Sequence, residues 1–179
     1  MLRAMRIGIV SDIHCNLDNF VRALEEMGQV DAILCAGDAV YQYRFSNPIY
    51  DIIRKRGIHS VIGNHESIIL SWQGQRLRSS GAIHPENLAF LERLPTTLRL
   101  DLDGKRILMT HGSPWEPTDD YLLAGDRRLK RLAELGVDIV VLGHTHYPLV
   151  LREGPVLIVN PGSLEEPRDP RYGMKPTYA

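Results

Sequence analysis

Short apolar runs rich in valine and isoleucine alternate along this chain with segments of helical periodicity. Residues 5–10, 32–36 and 58–62 form such runs, and Leu17–Met27 places apolar side chains three or four positions apart. This alternation predicts β-α-β units, in which parallel strands are buried on both faces. The carboxyl ends of parallel strands meet at one edge of a sheet, which is where open α/β proteins bind their ligands.

The second half of the chain adds antiparallel hairpins to this pattern. Asp103-Gly104 joins two apolar runs as a two-residue hairpin turn, and Glu153-Gly154 joins two more. The remaining predictions are a broken helical stretch over 67–93, a helix over 126–135, a buried strand over 137–142, and hairpin strands over 98–102, 106–110, 148–152 and 155–159. We therefore expect a single mixed α/β domain over residues 1–179.

Composition excludes several classes of function. The 179 residues carry 21 Lys+Arg against 22 Asp+Glu, so the basic excess of proteins that hold nucleic acid by its phosphates is missing, and strong nucleic-acid binding is not expected. No run approaches the roughly 18 apolar residues of a membrane span. Cys15 and Cys35 are two separate thiols rather than a disulfide framework. These observations predict a cytoplasmic protein without a membrane partner.

The histidines indicate where the chemistry lies. Of seven, two are expected to be structural, His59 within a strand and His84 before a helix-initiating proline. The other five follow predicted strands, in short turns rich in Gly, Asp and Asn: His14, His65, His111, His144 and His146. A random scatter would not follow strand ends in this way, so these turns are expected to form one site.

Acidic and amide side chains share the same turns. The turns read Asp12-Ile13-His14, Gly37-Asp38, Gly63-Asn64-His65-Glu66, His111-Gly112 and Gly143-His144-Thr145-His146. Two carboxylates, one amide and four or five imidazoles exceed the three protein ligands of a typical catalytic zinc. They suit two metal ions roughly 3.5–4 Å apart. Ligation by N and O without thiolate suits Mn, Fe, Zn, Ni or Co, with manganese first among these expectations.

In this order, the five motifs resemble the signature of the calcineurin-like metallophosphoesterases. The closest resemblance is to their small, nearly cap-less phosphodiesterases of bacteria and archaea. It runs from Met5 to about Asp169 and includes Asn160-Pro161-Gly162-Ser163. The resemblance implies an α/β fold, a four-layer α/β/β/α sandwich with two mixed β-sheets and no separate cap domain.

The resemblance also implies a role for each motif residue. His65 would be the general acid that gives a proton to the leaving oxygen, after attack by a hydroxide bridging the two metals. Apart from the resemblance, we expect a carboxylate, Glu66 or Asp12, to orient His65. The first metal would be held by Asp12, His14, Asp38 and His146, and the second by Asp38 as a bridge with Asn64, His111 and His144.

Several positions depart from the family pattern or lie outside it. Cys15 stands where the family usually has glycine, and Tyr41-Gln42-Tyr43-Arg44 replaces a glycine-rich segment, which predicts a more enclosed or reshaped pocket. Arg44 is a candidate phosphate contact through bidentate hydrogen bonds, and a surface arginine is an equally open interpretation. The basic residues of 127–131 are expected to form a solvated helix face. Tyr178-Ala179 resembles the opening of a strand, so the natural chain is expected to extend further.

Three functions are compatible with these residues. The leading hypothesis is a metal-dependent phosphodiesterase that acts on small phosphodiesters. The second is a phosphomonoesterase or protein phosphatase, because Gly63-Asn64-His65-Glu66 resembles the Ser/Thr phosphoprotein phosphatases; their Asp-Arg-Gly segment, however, is missing after Val40. The third is a non-catalytic scaffold, which would typically have lost metal ligands or the proton donor.

Overall fold

Three parallel strands form the first sheet of this computed structural model, which describes residues 4–179. They are β1 (Ile7–Val10), β2 (Ala32–Cys35) and β3 (His59–Ser60), paired in the order β1-β2-β3. Helix α1 (Leu17–Met27) and helix α2 (Asn47–Lys55) connect them. The predicted β-α-β units are therefore confirmed.

Along the chain, short helices occupy the segment that follows β3 and precedes the strands of the second sheet. They are α3 (Asn64–Leu70), α4 (Gln75–Arg78) and α5 (Pro85–Leu91), with a 3-10 turn over Trp72–Gly74. Helix α3 begins three residues earlier than predicted, within the Gly-Asn-His-Glu motif itself. The Glu66 carboxylate accepts a hydrogen bond from the N–H of Gly63 at 2.9 Å, so this side chain caps the new helix.

Five strands form the second sheet, paired in the order β4-β5-β6-β8-β7. Its central strands β5, β6 and β8 are parallel, and an antiparallel hairpin lies at each edge, as the two turn signals predicted. The strands are β4 (Thr97–Leu102), β5 (Lys105–Thr110), β6 (Ile139–Val141), β7 (Leu149–Glu153) and β8 (Val156–Asn160).

The segment predicted as a helix over 126–135 is a 3-10 helix, Arg127–Glu134. Leu129 and Leu132 are buried and Leu135 packs beside them, a spacing of three residues. A 3-10 helix has three residues per turn, so this spacing keeps all three leucines on one face, whereas an α-helix would rotate them apart. The α-helical prediction was wrong here because it did not separate a period of 3.0 from one of 3.6.

The packing of the apolar side chains defines four layers. Residues of both sheets, among them Leu34, Val61, Met109 and Val141, form one apolar cluster between the sheets. Helices α1, α2 and α5 cover the outer face of the first sheet, and the 3-10 helix covers the second. The α/β/β/α sandwich is confirmed.

The last residues of the chain pair with the free edge of β1. The N–H of Ile9 donates to the carbonyl of Ala179 at 2.6 Å, and the N–H of Ala179 donates to the carbonyl of Ile9 at 3.0 Å. Two residues that exchange both bonds form an antiparallel pair. Among residues 4–179, no helix is both long and apolar enough to cross a membrane.

Candidate metal centre

The predicted turns all meet at the carboxyl edge of the sandwich. They follow strands of both sheets, so the site spans the two sheets rather than lying on one. Asp12 and His14 follow β1, Asp38 follows β2, Asn64 and His65 begin α3 after β3, His111 follows β5, and His144 and His146 follow β6.

Asp12, His14 and His146 form a first, buried group of ligand atoms. His146 Nε2 lies 3.1 Å from Asp12 Oδ1 and 3.2 Å from His14 Nε2, and His14 Nε2 lies 3.7 Å from Asp12 Oδ1. A point about 2 Å from all three atoms exists for a triangle of this size, and metal–ligand bonds to N and O have this length. The three atoms therefore fit one metal ion.

Asp38, His111 and His144 form a second group. His111 Nε2 lies 3.1 Å from Asp38 Oδ2 and 3.2 Å from the amide oxygen of Asn64. Asp38 also belongs to a cluster with His14 and His65, so it lies between the two groups. The structure thus brings all seven predicted ligands together, with the carboxylate of Asp38 near residues of both groups.

Backbone carbonyls orient three of the imidazoles. Nδ1 of His111 lies 2.7 Å from the carbonyl of Ala36, and Nδ1 of His146 lies 2.8 Å from that of Glu166, so each ring turns Nε2 toward the site. Nε2 of His144 lies 3.2 Å from the carbonyl of Asp119, which leaves Nδ1 as its other ring nitrogen. Hydrogen bonds of this kind fix the tautomer and orientation of metal-binding histidines.

Asp12 carries a buried oxygen that the protein does not satisfy. Its Oδ2 accepts hydrogen bonds from the hydroxyl of Ser11 at 2.6 Å and the N–H of His144 at 3.0 Å. Its Oδ1 is buried and has no hydrogen-bond partner among the described residues. An unsatisfied buried carboxylate oxygen is unfavourable, and a cation bound by the first group would satisfy it.

The backbone at the ligands is held in an unusual conformation. Left-handed φ angles occur at Asp12 (52°), His14 (46°), Asp38 (51°), His144 (66°) and His146 (60°). Non-glycine residues seldom adopt this region, and strain of about 1–3 kcal/mol per residue concentrates at functional sites. Cys15 also has a positive φ of 64°, so the position where the family usually has glycine keeps the conformation that glycine favours.

Glycine is required where the turns approach one another. A Cβ at Gly63 would lie 2.1 Å from Oδ1 of Asp38, and a Cβ at Gly37 would lie 2.8 Å from Nδ1 of His111. Gly37 also has a φ of +92°, which L side chains rarely adopt. The absence of these side chains lets the turns after β2, β3 and β5 close around the carboxylate of Asp38.

Glu66 connects two of the turns through hydrogen bonds to their backbone N–H groups. Its buried carboxylate accepts hydrogen bonds from the N–H groups of Asp38 at 2.9 Å, Val40 at 3.2 Å and Gly63 at 2.9 Å. Burial and the negative charge of Asp38 raise the pKa of Glu66 to about 7. It therefore ties the turn after β2 to the turn after β3, a role the sequence prediction missed, although a Glu three residues into a helix is a recognisable capping signal.

The orientation of His65 comes from the loop that follows β2. The N–H of Gln42 donates to its Nδ1 at 3.0 Å, in place of the predicted contact with Glu66 or Asp12. Nε2 of His65 lies 3.7 Å from Oδ2 of Asp38. His65 thus borders the carboxylate of Asp38 and remains partly exposed, with 18% of its side chain accessible.

Opposite charges shift the pKa values within the second group. Burial by itself would lower the pKa of His111, but the charges of Asp38 and Asp12 outweigh it and raise that pKa to about 10. Burial would raise the pKa of Asp38, and the charge of His111 holds it well below its usual range instead. In the first group, burial lowers the pKa of His14. The hydrogen bond and charge of Asp12 likewise outweigh burial and raise the pKa of His146. The carboxylates thus favour protonation of both His111 and His146 when no cation is present.

The segment Tyr41 to Arg44 borders an open groove beside the metal centre. Tyr41, Gln42, Tyr43, Arg44 and His65 line this groove, which has a volume of about 450 Å³. The guanidinium of Arg44 donates to the carbonyl of His14 at 3.1 Å and lies 4.9 Å from the centre of the Tyr41 ring. The bulky residues reshape this side of the site without enclosing it.

The predicted solvated helix face is confirmed for Arg127, Lys130 and Arg131, which are exposed, whereas Arg128 is half-buried and paired. Its guanidinium donates to Asp120 at 2.7 and 2.9 Å, to Asp126 at 2.7 Å and to the carbonyl of Tyr121 at 3.0 Å. The Tyr121 ring centre lies 4.1 Å from that of His144. Arg128 thus holds the loop that packs on the second group, a role that basic composition alone does not reveal.

Known proteins resemble this chain along almost its whole length. An uncharacterised protein of Methanocaldococcus jannaschii is 29% identical over 196 residues, which cover 94% of this chain and 79% of that protein. A phosphodiesterase of the same organism is 25% identical over 166 residues, covering 88% of this chain and 83% of its own length. The crystal structure of a metallophosphoesterase from Sphaerobacter thermophilus has a TM-score of 0.76 and 28% identity, covering 93% of this chain and 80% of that chain.

The family comparison agrees with these individual relatives. The model of the calcineurin-like phosphoesterase superfamily domain matches residues 5–179, a span that includes every turn of the metal centre. Proteins of this kind are hydrolases that bind divalent metals. The chain therefore belongs to the calcineurin-like phosphoesterase superfamily.

Proposed function

We propose that this protein is a dinuclear metal-dependent phosphodiesterase that hydrolyses small phosphodiesters. The observation that carries the proposal is the position of Asp38, whose carboxylate lies between two groups of ligand atoms and beside His65. The relative whose printed name is phosphodiesterase supports the same reaction class. The open groove supports a diester, because it leaves room for a substituent on the phosphate.

The chain's own residues define the two proposed metal sites. Asp12, His14, Asp38 and His146 would hold the first ion, and Asp38, Asn64, His111 and His144 the second. When bound, two divalent ions lower the pKa of water to supply a nucleophile near neutral pH and neutralise charge on the phosphate. The oxygen and nitrogen donors suit Mn, Fe, Zn, Ni or Co, and manganese is the first ion to test.

We propose His65 as the general acid. Because Nδ1 accepts the N–H of Gln42, the ring proton lies on Nε2, the atom 3.7 Å from the shared carboxylate. General acid catalysis contributes about 10²–10⁴-fold to a rate. To give up the Nε2 proton and remain neutral, the ring must also carry a proton on Nδ1, and that proton would face the N–H of Gln42. The alternative role for His65 is therefore that of a neutral hydrogen-bond donor to the phosphate.

Diesters with leaving groups of increasing pKa separate these two roles of His65. A general acid matters most for poor leaving groups, so His65→Ala should lose progressively more rate as the leaving-group pKa rises. A uniform loss across the series would show that His65 only donates a hydrogen bond. Arg44 is proposed to contact the phosphate, since its guanidinium lies at the groove and next to His14.

The proposed function is tested by measuring metal content and hydrolysis in the same preparations. We expect about two metals per wild-type chain, loss of metal in Asp38→Ala, and retained metal with a lower rate in His65→Ala. His59→Ala is the matched control, because His59 lies in β3 and outside the ligand groups. It should keep both metal and rate.

The substrate preference decides among the three functions considered. Faster hydrolysis of bis-p-nitrophenyl phosphate than of p-nitrophenyl phosphate supports the phosphodiesterase. The reverse preference would make the protein a phosphomonoesterase. Stoichiometric metal without turnover in the presence of Mn, Ni or Zn would make it a scaffold that keeps the fold.

A further inference from the structure

The ring of His14 is oriented differently from the other ligand histidines. His111, His144 and His146 each have one ring nitrogen at a backbone carbonyl. Nδ1 of His14 is buried and has no hydrogen-bond partner among the described residues. A metal-binding histidine normally uses its second nitrogen to fix its orientation. The ring of His14 must therefore be held by packing.

Tyr41 supplies that packing. Its ring is stacked on the ring of His14, with centres 4.6 Å apart and planes inclined by 23°. It also meets His65 edge-on at 5.5 Å. Stacked aromatic pairs contribute orientation as well as burial. Among the described contacts, the Tyr41 ring is the parallel neighbour of the His14 ring, whereas His65 and His146 meet that ring at steeper angles of 85° and 51°.

The Tyr41 ring is itself anchored on two sides. Its hydroxyl donates a hydrogen bond to the carboxylate of Glu166, and the carbonyl of Glu166 accepts from Nδ1 of His146. The guanidinium of Arg44 lies over the ring, 4.9 Å from its centre, and donates to the carbonyl of His14. The contacts thus run from His14 through Tyr41 and Glu166 to His146, the two histidines of the first ligand group.

We propose that Tyr41 is a positioning residue that holds His14, and through Glu166 links His14 to His146, so that the first ligand group is pre-formed. This role rests on the metal centre of the proposed function but not on its reaction. Tyr41 lies in the segment 41–44 that borders the open groove beside the metal centre.

The role is tested by titrating metal-free protein with Co²⁺ alone and following its visible absorption. Tyr41→Ala removes both the stack and the hydrogen bond, and one of the two affinities should fall by about 10–100-fold, the usual effect of losing an orienting partner. Tyr41→Phe keeps the stack and should lose less. Tyr178→Phe, a tyrosine outside the ligand groups, should bind as wild type does.

A double-mutant cycle tests the link through Glu166. Glu166→Ala keeps the backbone carbonyl that His146 uses, but it removes the acceptor of the Tyr41 hydroxyl and a carboxylate oxygen 4.0 Å from Nδ1 of His146. Tyr41→Phe should therefore add little when Glu166 is already alanine, because the hydrogen bond that it removes is then absent. The cobalt absorption of Tyr41→Ala should also change shape, which a general loss of stability would not cause.

The possible outcomes separate this role from the proposed function. Unchanged affinities and spectrum in folded Tyr41→Ala would overturn the role of Tyr41. An equal fall in both affinities would also overturn it, since the second group does not contact Tyr41 among the described residues. Wild type that binds two metals without turnover would overturn the phosphodiesterase alone, whereas wild type that binds no metal would overturn both.

Discussion

The two ligand groups are held by different parts of the molecule. In the second group, His111 is fully buried, bonded to the carbonyl of Ala36 at the end of β2, and paired with Asp38 at 3.1 Å. In the first group, His14 packs against Tyr41 and has no partner for Nδ1 among the described residues. His111 is thus tied to a sheet and His14 to a loop.

His111 is therefore positioned by the fold as a whole, and His14 by a local loop. A carbonyl at the end of a strand is placed by the sheet hydrogen bonds, so His111 is oriented whenever the sandwich forms. The ring of His14 depends on a loop whose conformation is set by side chains such as Tyr41. We therefore expect the second group to be the more rigid of the two. Changes of protonation should affect it more than changes in loop packing do.

The largest effect should come from removing what the two groups share. In Gly63→Ala the new Cβ would lie 2.1 Å from Oδ1 of Asp38, so the shared carboxylate must move. Metal content should fall at both groups and hydrolysis by about 100-fold or more, since a displacement of about 1 Å has effects of this size. Metal analysis and initial rates on the same samples measure both.

Gly57→Ala is the matched control for that variant. Gly57 has a φ of +63°, and a Cβ placed there would have no atom within 4 Å, so alanine at this position is strained but touches nothing. It should lower stability without changing metal content. If Gly63→Ala lost only one of the two metals, Asp38 would belong to one ligand group and not to both.

The next effect, on pH dependence, should be largest in the second group. In the first group, burial would lower the pKa of His146, but contact with Asp12 raises it above its ordinary value and adds to the same pH dependence. Folding raises the pKa of His111 to about 10 from 6.5, so the stability this proton provides is complete below pH 6.5 and is lost as pH rises through about 10. For metal-free protein, one proton corresponds to about 1.4 kcal/mol per pH unit. The free energy of unfolding should therefore fall by about 2 kcal/mol from pH 7 to 8.5, as measured by urea unfolding.

Two variants test whether His111 causes this fall in the free energy of unfolding with pH. His111→Gln should abolish most of it. His14→Gln should leave it in place, because burial lowers the pKa of His14 and both its folded and unfolded forms are neutral above pH 7. Bound metal should remove the slope, since metal takes the place of the proton. An equal slope in wild type and His111→Gln would contradict the assignment.

The smallest effect concerns the loop over the second group. Arg128→Ala releases Asp120 and Asp126, which hold the loop that packs on His144. Because Arg128 is partly exposed, one metal affinity should fall by about fivefold or less. Arg127→Ala removes a neighbouring exposed charge and should have no effect. A loss larger than that of Tyr41→Ala would reverse the proposed order of rigidity.

Local sequence was sufficient for much of the fold. The β-α-β units were readable because buried parallel strands are continuous apolar runs, and both hairpins because their turns carry glycine at the second position. The 3-10 helix Arg127–Glu134 was misread because its leucines satisfy either helical period over so short a segment. The early start of α3 was missed because Glu66 caps it from inside the site.

By itself, the sequence determined which residues meet, since parallel strands end at one edge and the turns of this chain carry Asp, Asn and His at those ends. Only the tertiary structure decided how they are held. Glu66 binds N–H groups of two turns, Arg128 binds a loop eight residues away, and Tyr41 reaches Glu166 across 125 positions of sequence. Such contacts depend on the packing of distant segments, and no local pattern of residues encodes them.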